Sequence, residues 1–158
     1  MEIIQQLKTV LPEQFIQQNE VMAKHTSFRI GGTADIYISP QNSEQIKNII
    51  TIAKQYDIPI MIIGNGSNLL ISDKGIRGII IQTANNMNEI VVEGETIKAE
   101  SGALLSAIGA EALKHSLKGF SFASGIPGSL GGAVCMNAGA YGGEMKDVIV
   151  EAEVLTKE

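Results

Sequence analysis

The feature that most constrains this chain is the stretch at residues 125–143, GIPGSLGGAVCMNAGAYGG. Seven of its nineteen residues are glycine, and none carries a charged side chain. Glycine lets the backbone approach another body closely and adopt positive φ, at a cost in chain entropy. A stretch so rich in glycine is expected to place bare N–H groups against a ligand, either an anion or a flat, electron-poor ring.

A second stretch of the same character, GNGSN at residues 64–68, follows the all-apolar run at 60–63. That run indicates a strand covered on both faces, and ligands of open α/β sheets lie beyond the carboxyl ends of strands. A G-x-G-x-x-G motif is not met, because Leu69 stands where the third glycine should be, and a Walker A lysine is absent. What remains is either a plain glycine turn or a nest of N–H groups suited to a diphosphate, with Ser67 and Asn68 as side-chain donors.

Composition excludes several classes of function. The 158 residues are 44% hydrophobic and carry a net charge of −5, which fits one compact domain or two small lobes without a basic face for nucleic acid. The single cysteine, Cys135, excludes an internal disulfide and a cysteine-based metal cluster, and the two histidines lie far apart, so no metal site is expected. Neither a signal peptide nor an apolar run of ~18 residues is present, which predicts a soluble cytoplasmic protein with no membrane partner.

The first half of the chain reads as an arm followed by a βαβ unit. Residues 2–18 favour one or two short helices, with Pro12 able to open the second. A strand is predicted over 34–39, then a helix over 43–56 capped by Asn42 or Ser43, then the strand at 60–63. Arg29 is interpreted as a surface or salt-bridge residue, with a phosphate contact as the alternative.

The remaining elements are a strand-like run at 69–71, a turn at 73–75, a buried strand at 78–82, a hairpin over 89–99, a helix over 102–117 and a final strand over 148–154. A boundary near residues 84–88 divides the chain into a helical arm (1–24), a βαβ lobe (25–84) and a second lobe (85–158). Each lobe contains one glycine-rich stretch, and we expect the two stretches to grip one ligand between them.

The two stretches, extended to GNGSNLLISDKGIRGIII (64–81) and SGIPGSLGGAVCMNAGAYGGE (124–144), resemble the bacterial UDP-N-acetylenolpyruvoylglucosamine reductases. HTSFRIGGTADIYI (25–38) is similar to an earlier segment of that family. The resemblance implies an α+β fold, a two-lobed FAD-binding domain of the vanillyl-alcohol-oxidase (PCMH) type, truncated before the substrate domain. It also implies a peptidoglycan-precursor enzyme in which NADPH reduces FAD, and the flavin passes hydride to the enolpyruvyl group of a UDP-sugar, giving UDP-N-acetylmuramate.

The same resemblance assigns site residues. The FAD diphosphate would be wrapped by Gly64, Asn65, Gly66, Ser67, Asn68 and Leu69. A second wall, near the diphosphate and ribityl chain, would be formed by Gly125, Ile126, Pro127, Gly128, Ser129, Gly131 and Gly132. The residues near the isoalloxazine would be Asn137, Ala138, Gly139 and Tyr141. The family's catalytic arginine, serine and glutamate segments have no counterpart here and are expected beyond Glu158, so these residues should not reduce the substrate alone.

Two alternatives stay open. One is another flavoprotein of the same fold, such as a sugar or lactone oxidase or the flavin subunit of a hydroxylase. Covalent flavin attachment would favour an oxidase, but His25 is a poor candidate, and Cys135 is interpreted as a small packing residue. The other is a non-catalytic module that holds flavin or a nucleotide for a partner.

Overall fold

The structure is a computed structural model that describes residues 2–156. Its helices and strands are, in chain order, α1 (Glu2–Val10), β1 (Ile16–Val21), β2 (Thr33–Ile38), α2 (Ser43–Gln55), β3 (Ile60–Ile63), β4 (Ile76–Gln82), β5 (Ile90–Glu93), β6 (Thr96–Ala99), α3 (Leu105–Lys114), α4 (Leu130–Met136), β7 (Gly139–Ala140) and β8 (Gly143–Glu144). The α+β class is confirmed. Within the described residues, no helix combines the length and the apolar character needed to cross a bilayer.

The main sheet has the strand order β1-β2-β4-β3. β2 and β3 both pair with β4 in parallel, and β1 pairs with β2 antiparallel. The predicted strand, helix, strand unit is therefore present, with β4 inserted between its two strands. Ile63 at the end of β3 is in register with Gln82 at the end of β4, so the chain leaves both strands at the same edge of the sheet.

α2 forms where the sequence predicts it. The side chain of Asn42 caps it by accepting a hydrogen bond from the backbone N–H of Gln45 at 2.9 Å. Its apolar stripe packs, together with α1, on one face of the sheet. Ile49 and Ile79 are fully buried in this layer, and each such side chain contributes roughly 2 kcal/mol through burial.

The prediction of a helical arm is wrong from residue 16 onward. α1 ends before Pro12, which cannot continue the helix, and a short 3-10 turn at Glu13–Phe15 follows. The chain then extends as β1, because the edge of β2 offers hydrogen-bond partners from Ile16 to Val21. This long-range pairing has no signature in a mostly polar segment. The lobe boundaries at 24 and 84 stay a prediction.

Two predictions about the apolar runs of the first lobe are also wrong. β3 is an edge strand rather than one covered on both faces, and Ile62 is 57% exposed. The strand buried on both faces is β4, whose Ile79, Ile80 and Ile81 are fully buried. Residues 69–71 form no strand; they belong to an irregular loop that ends at the predicted turn before β4.

The second lobe keeps its predicted hairpin, β5–β6, but differs around the glycine-rich stretch. α3 begins three residues later than predicted, because Leu104 forms a β-bridge with Ser129. The stretch itself contains α4 and the small β7–β8 hairpin. Residues 148–154 form no strand with any other described residue. The core of this lobe includes Leu105, Phe122 and Met145.

Candidate functional site

The two glycine-rich stretches lie side by side. Nδ2 of Asn65 donates a hydrogen bond to the backbone oxygen of Pro127 at 3.1 Å. A Cβ atom on Gly64 would lie 1.9 Å from Oγ and 3.1 Å from Cβ of Ser129, so glycine at position 64 permits this close approach without moving the serine. The structure therefore brings the stretches together at one crevice; that they bind a ligand there stays a prediction.

The first stretch leaves β3 as an irregular loop with unused donors. None of the backbone N–H groups of residues 64–68 donates a hydrogen bond to another residue that the structure describes. Successive unpaired N–H groups in a turn form concave sites for phosphate oxygens. Gly66, however, is also required by the chain itself: its φ is +66°, and a Cβ atom there would lie 1.9 Å from the carbonyl oxygen of His25.

In the second stretch, some backbone N–H groups already donate hydrogen bonds within the chain. The N–H group of Leu130 donates to the carbonyl of Ala103 at 2.8 Å, and that of Gly131 donates to the carbonyl of Ser101 at 2.7 Å. A Cβ atom on Gly131 would lie 2.9 Å from Cβ of Ser101. Some of the glycine content therefore serves to dock α4 onto residues 101–103 rather than to contact a ligand.

Two other glycines face open space. No atom would lie within 4 Å of a Cβ atom on Gly125, and the nearest atom to one on Gly128 would be Oγ of Ser67 at 3.8 Å. Chain packing does not explain the missing side chains at these positions. They leave room for a ligand at the junction of the two stretches.

Two buried oxygen atoms at this junction lack hydrogen-bond partners among the described residues. Oγ of Ser129 belongs to a residue that is 2% exposed, and Oε1 of Gln82 to one that is 6% exposed. Nε2 of Gln82 donates to the carbonyl of Gly64 at 3.3 Å, which holds the side chain beside the first stretch. A buried acceptor without a donor costs about 1–3 kcal/mol, so both oxygens fit a site completed by a ligand or water.

Two clefts meet at Asn65 and Asn85. One, of about 450 Å³, has a polar lining formed by Lys24, His25, Thr26, Ser27, Arg29, Asn65, Gln82 and Asn85. The other, of about 350 Å³, is lined by Asn65, Ala84, Asn85, Asn88, Gly102, Leu104 and Ala107. Asn65, in the first glycine-rich stretch, therefore contributes to both clefts.

Hydrogen bonds with two neighbouring side chains hold the ring of His25, one of the residues that line the polar cleft. Oε1 of Glu20 lies 2.9 Å from Nε2 of His25, and the hydroxyl of Tyr37 lies 3.0 Å from Nδ1 of the same ring. Burial alone would raise the pKa of Glu20, but hydrogen bonds from His25 and Lys24 outweigh it and hold that pKa below its ordinary value. Burial, with a smaller effect of the Glu20 charge, raises the pKa of Tyr37 to about 12, so its hydroxyl keeps its proton.

The predicted isoalloxazine residues lie beyond the far end of α4. Asn137 ends the helix in a left-handed conformation, with φ of +46°, and its Nδ2 donates to Oε2 of Glu144 at 2.8 Å. Tyr141 is 97% exposed in the turn between β7 and β8. Neither residue lines the two clefts, although Asn68 of the first stretch reaches Sδ of Met136, next to Asn137, at 3.1 Å.

The sequence interpretation missed one wall of the site. The clefts are lined by residues 24–27, by Arg29, by Gln82 and by the asparagines at 85 and 88, although none of these was among the predicted cofactor-binding residues. A signal existed in HTSFR, where a phosphate contact for Arg29 was the alternative to a surface role. That Oε1 of Gln82 is buried without a hydrogen-bond partner follows from the three-dimensional packing, which the sequence does not indicate.

Comparison with known proteins identifies the family of the chain. Residues 34–158 match a family described as FAD binding domain. A UDP-N-acetylenolpyruvoylglucosamine reductase of Clostridioides difficile (strain 630) is 51% identical over 152 residues, 96% of this chain and 50% of that protein. The crystal structure of a UDP-N-acetylenolpyruvylglucosamine reductase from Thermus caldophilus is 30% identical, with a TM-score of 0.65, over 84% of this chain and 47% of that one. The chain thus spans about half the length of the relatives that it matches.

The fold type is confirmed by a more distant structure. p-Cresol methylhydroxylase is 16% identical with a TM-score of 0.57, over 73% of this chain and 25% of that one. At that identity the likeness concerns the fold alone. The family match covers most of the chain, including both glycine-rich stretches and the strands that position them. The chain belongs to the FAD-binding domain family, and its cofactor is FAD.

Proposed function

We propose that the chain is the FAD-binding part of a UDP-N-acetylenolpyruvoylglucosamine reductase, an enzyme that makes UDP-N-acetylmuramate in the cytoplasm for peptidoglycan. Support comes from the name of the relative that is 51% identical along 96% of this chain. Because the chain spans half of that relative, the complete reaction with NADPH and the UDP-sugar is proposed for a protein of the relative's length.

When bound, FAD would take up hydride from NADPH and supply it to the enolpyruvyl double bond. The task of this chain is to bind and orient the cofactor. The unpaired N–H groups of residues 64–68 would bind the diphosphate, and Ser129 would complete its own hydrogen bonding with the same ligand. The contact between Asn65 and Pro127 holds the two walls at a fixed spacing. Residues 137–141 are proposed to lie near the flavin ring.

The observation that carries this proposal is the junction of the two stretches. Asn65 and Pro127 are 62 residues apart in the chain, yet their hydrogen bond sets unpaired N–H groups beside a buried, unpartnered hydroxyl. A buried hydroxyl rarely stays without a hydrogen-bond partner, so Oγ of Ser129 points to a ligand or water at this junction. A diphosphate supplies acceptors for the N–H groups, and the ribityl or ribose hydroxyls supply donors for the oxygens.

Titration of the purified chain with FAD tests the cofactor assignment. We expect one FAD per chain, with quenched flavin fluorescence, and weaker binding of FMN because it lacks the diphosphate. A chain that leaves added FAD fully fluorescent, and that shows no heat of binding, would contradict the proposal.

An activity assay tests the division of labour. The chain alone, loaded with FAD, should not oxidise NADPH in response to the enolpyruvyl UDP-sugar, because the family's catalytic arginine, serine and glutamate segments have no counterpart in these residues. Sustained turnover by these 158 residues would show that the chemistry lies within them, while FAD binding without turnover supports the proposal.

A further inference from the structure

The polar cleft contains one cationic side chain that the described residues leave without a counter-charge. Lys24 and Arg29 both line this cleft. The ammonium of Lys24 lies 3.2 Å from the carboxylate of Glu20. The guanidinium of Arg29 forms no ion pair or hydrogen bond within the part of the chain that the structure describes. Arg29 is exposed, so its charge is available to a ligand.

The backbone holds Arg29 in place at some energetic cost. Its φ is +54°, a left-handed conformation that residues with a Cβ atom adopt only under constraint. The constraint is visible: the N–H group of Arg29 donates to the carbonyl of Thr26 at 3.1 Å, and Oγ1 of Thr26 donates to the carbonyl of Ile30 at 3.1 Å. A strained residue fixed at the mouth of a cleft is typical of a functional position.

The other groups of the cleft define what Arg29 would bind. Asn65, whose loop has unpaired N–H groups at residues 64–68, lines it and favours an anion. Oε1 of Gln82, buried and without a partner among the described residues, needs a donor such as a sugar hydroxyl. An anion and a hydroxyl donor in one ligand describe a phosphorylated sugar, whereas the polar lining does not suit a flat apolar ring.

We infer that Arg29 binds a phosphate oxygen of the FAD diphosphate, and that Oε1 of Gln82 accepts a hydrogen bond from a hydroxyl of the same molecule. This assignment rests on the proposed function. It adds a third wall, formed by residues 24–27 and Arg29, to the two glycine-rich stretches. A guanidinium facing a loop of N–H groups would hold the diphosphate from two sides, and charge-assisted hydrogen bonds of this kind are about twice as strong as neutral ones.

FAD affinity of the full chain, measured by fluorescence quenching and calorimetry over a range of salt concentrations, tests the inference. Arg29→Gln should bind FAD about tenfold more weakly at low salt. The difference should shrink as salt screens the lost charge. Arg29→Gly should lose as much affinity while its melting temperature does not fall, because glycine adopts the left-handed conformation without strain. Lys47→Gln removes the same charge from exposed α2 and should change nothing.

The outcomes separate the two proposals. If the wild-type chain does not bind FAD, the proposed function itself is contradicted. If the wild type binds FAD and Arg29→Gln stays within twofold of it at every salt concentration, the role of Arg29 is overturned and the proposed function stands. A loss of affinity that does not depend on salt, or that Lys47→Gln shares, would also overturn it, since neither fits a phosphate contact by this one cation.

Discussion

The hydroxyl of Tyr37 lies 3.0 Å from Nδ1 of His25, and the two rings stack with their centroids 4.2 Å apart. The ionised carboxylate of Glu20 can only accept, so Nε2 of His25 carries the proton that it receives. Nδ1 of the same ring lies against the Tyr37 hydroxyl, which keeps its proton and can donate it to this nitrogen. Since the carbonyl of His25 packs on Gly66, this network supports the loop that forms the site.

Tyr37→Phe tests that support. The substitution keeps the stacked ring and its volume but leaves Nδ1 of His25 without a donor, so the free energy of unfolding should fall by about 1–2 kcal/mol. Denaturant unfolding at neutral pH measures the loss. Tyr141→Phe is the matched control. Because Tyr141 is 97% exposed, the free energy of unfolding of this variant should equal that of the wild type. Equal stability of both variants would mean that the Tyr37–His25 bond contributes nothing.

The stability of the protein should also depend on Tyr37 at alkaline pH. The folded state raises the pKa of this phenol from 10.0 to about 12. The contribution of this raised pKa to the free energy of unfolding is therefore complete below pH 10. It is lost as pH rises towards 12, because the Tyr37 phenol releases its proton at a lower pH in the unfolded chain than in the folded one. The wild type should lose up to about 3 kcal/mol more than Tyr37→Phe over that interval. Parallel stability curves for the two proteins would refute this.

Ser129→Ala should separate binding from stability. Because Oγ of Ser129 is buried without a partner, its removal should leave the free protein as stable or up to about 1 kcal/mol more stable, yet weaken FAD binding. Thr26→Val is the contrasting control, since the buried Thr26 hydroxyl donates to Ile30 and its loss should destabilise by about 1 kcal/mol. Thermal unfolding of both variants and FAD titration of Ser129→Ala check this. A large loss of stability in Ser129→Ala would show that the hydroxyl serves the fold.

Valine at two glycine positions should give different defects. Gly128→Val meets no atom of the chain closer than 3.8 Å at its Cβ, so the protein should fold normally and lose at least tenfold in FAD affinity. Gly66→Val should unfold or melt far lower, because its Cβ would collide with the carbonyl of His25. Ala110→Val on the exposed face of α3 is the control for added volume. Unchanged FAD affinity in Gly128→Val would remove this position from the site.

The predictable parts of the fold are those set by local rules. The Asn42 cap, the apolar stripe of α2 and the β5–β6 hairpin are visible in the sequence, because each depends on residues close together in the chain. α4 was missed because Gly131 and Gly132 disfavour a helix, a preference that contacts with residues 101–103 and packing in the core of the lobe overcome. β1 was missed for a similar reason, since its partner strand supplies what its own sequence lacks.

The proximity of the two glycine-rich stretches was predictable, but the extent of the candidate site was not. The glycine content of the two stretches indicated close backbone approach, and the structure places them in contact. The sequence alone does not distinguish Gly66 and Gly131, which are needed for contacts within the chain, from Gly125 and Gly128, which face open space. That distinction depends on neighbours distant in sequence, and so does the position of residues 24–27 and Arg29 along the polar cleft.

The seating of Gly66 against the carbonyl of His25 also bears on how quickly the cofactor can be captured. A loop whose shape is fixed by its own protein neighbours does not have to be ordered by the incoming molecule. Little of the binding free energy is then spent on immobilising backbone. We therefore expect uptake to be a single, diffusion-governed step without a slow isomerisation, so the residence time of the flavin, rather than its rate of arrival, would set the affinity.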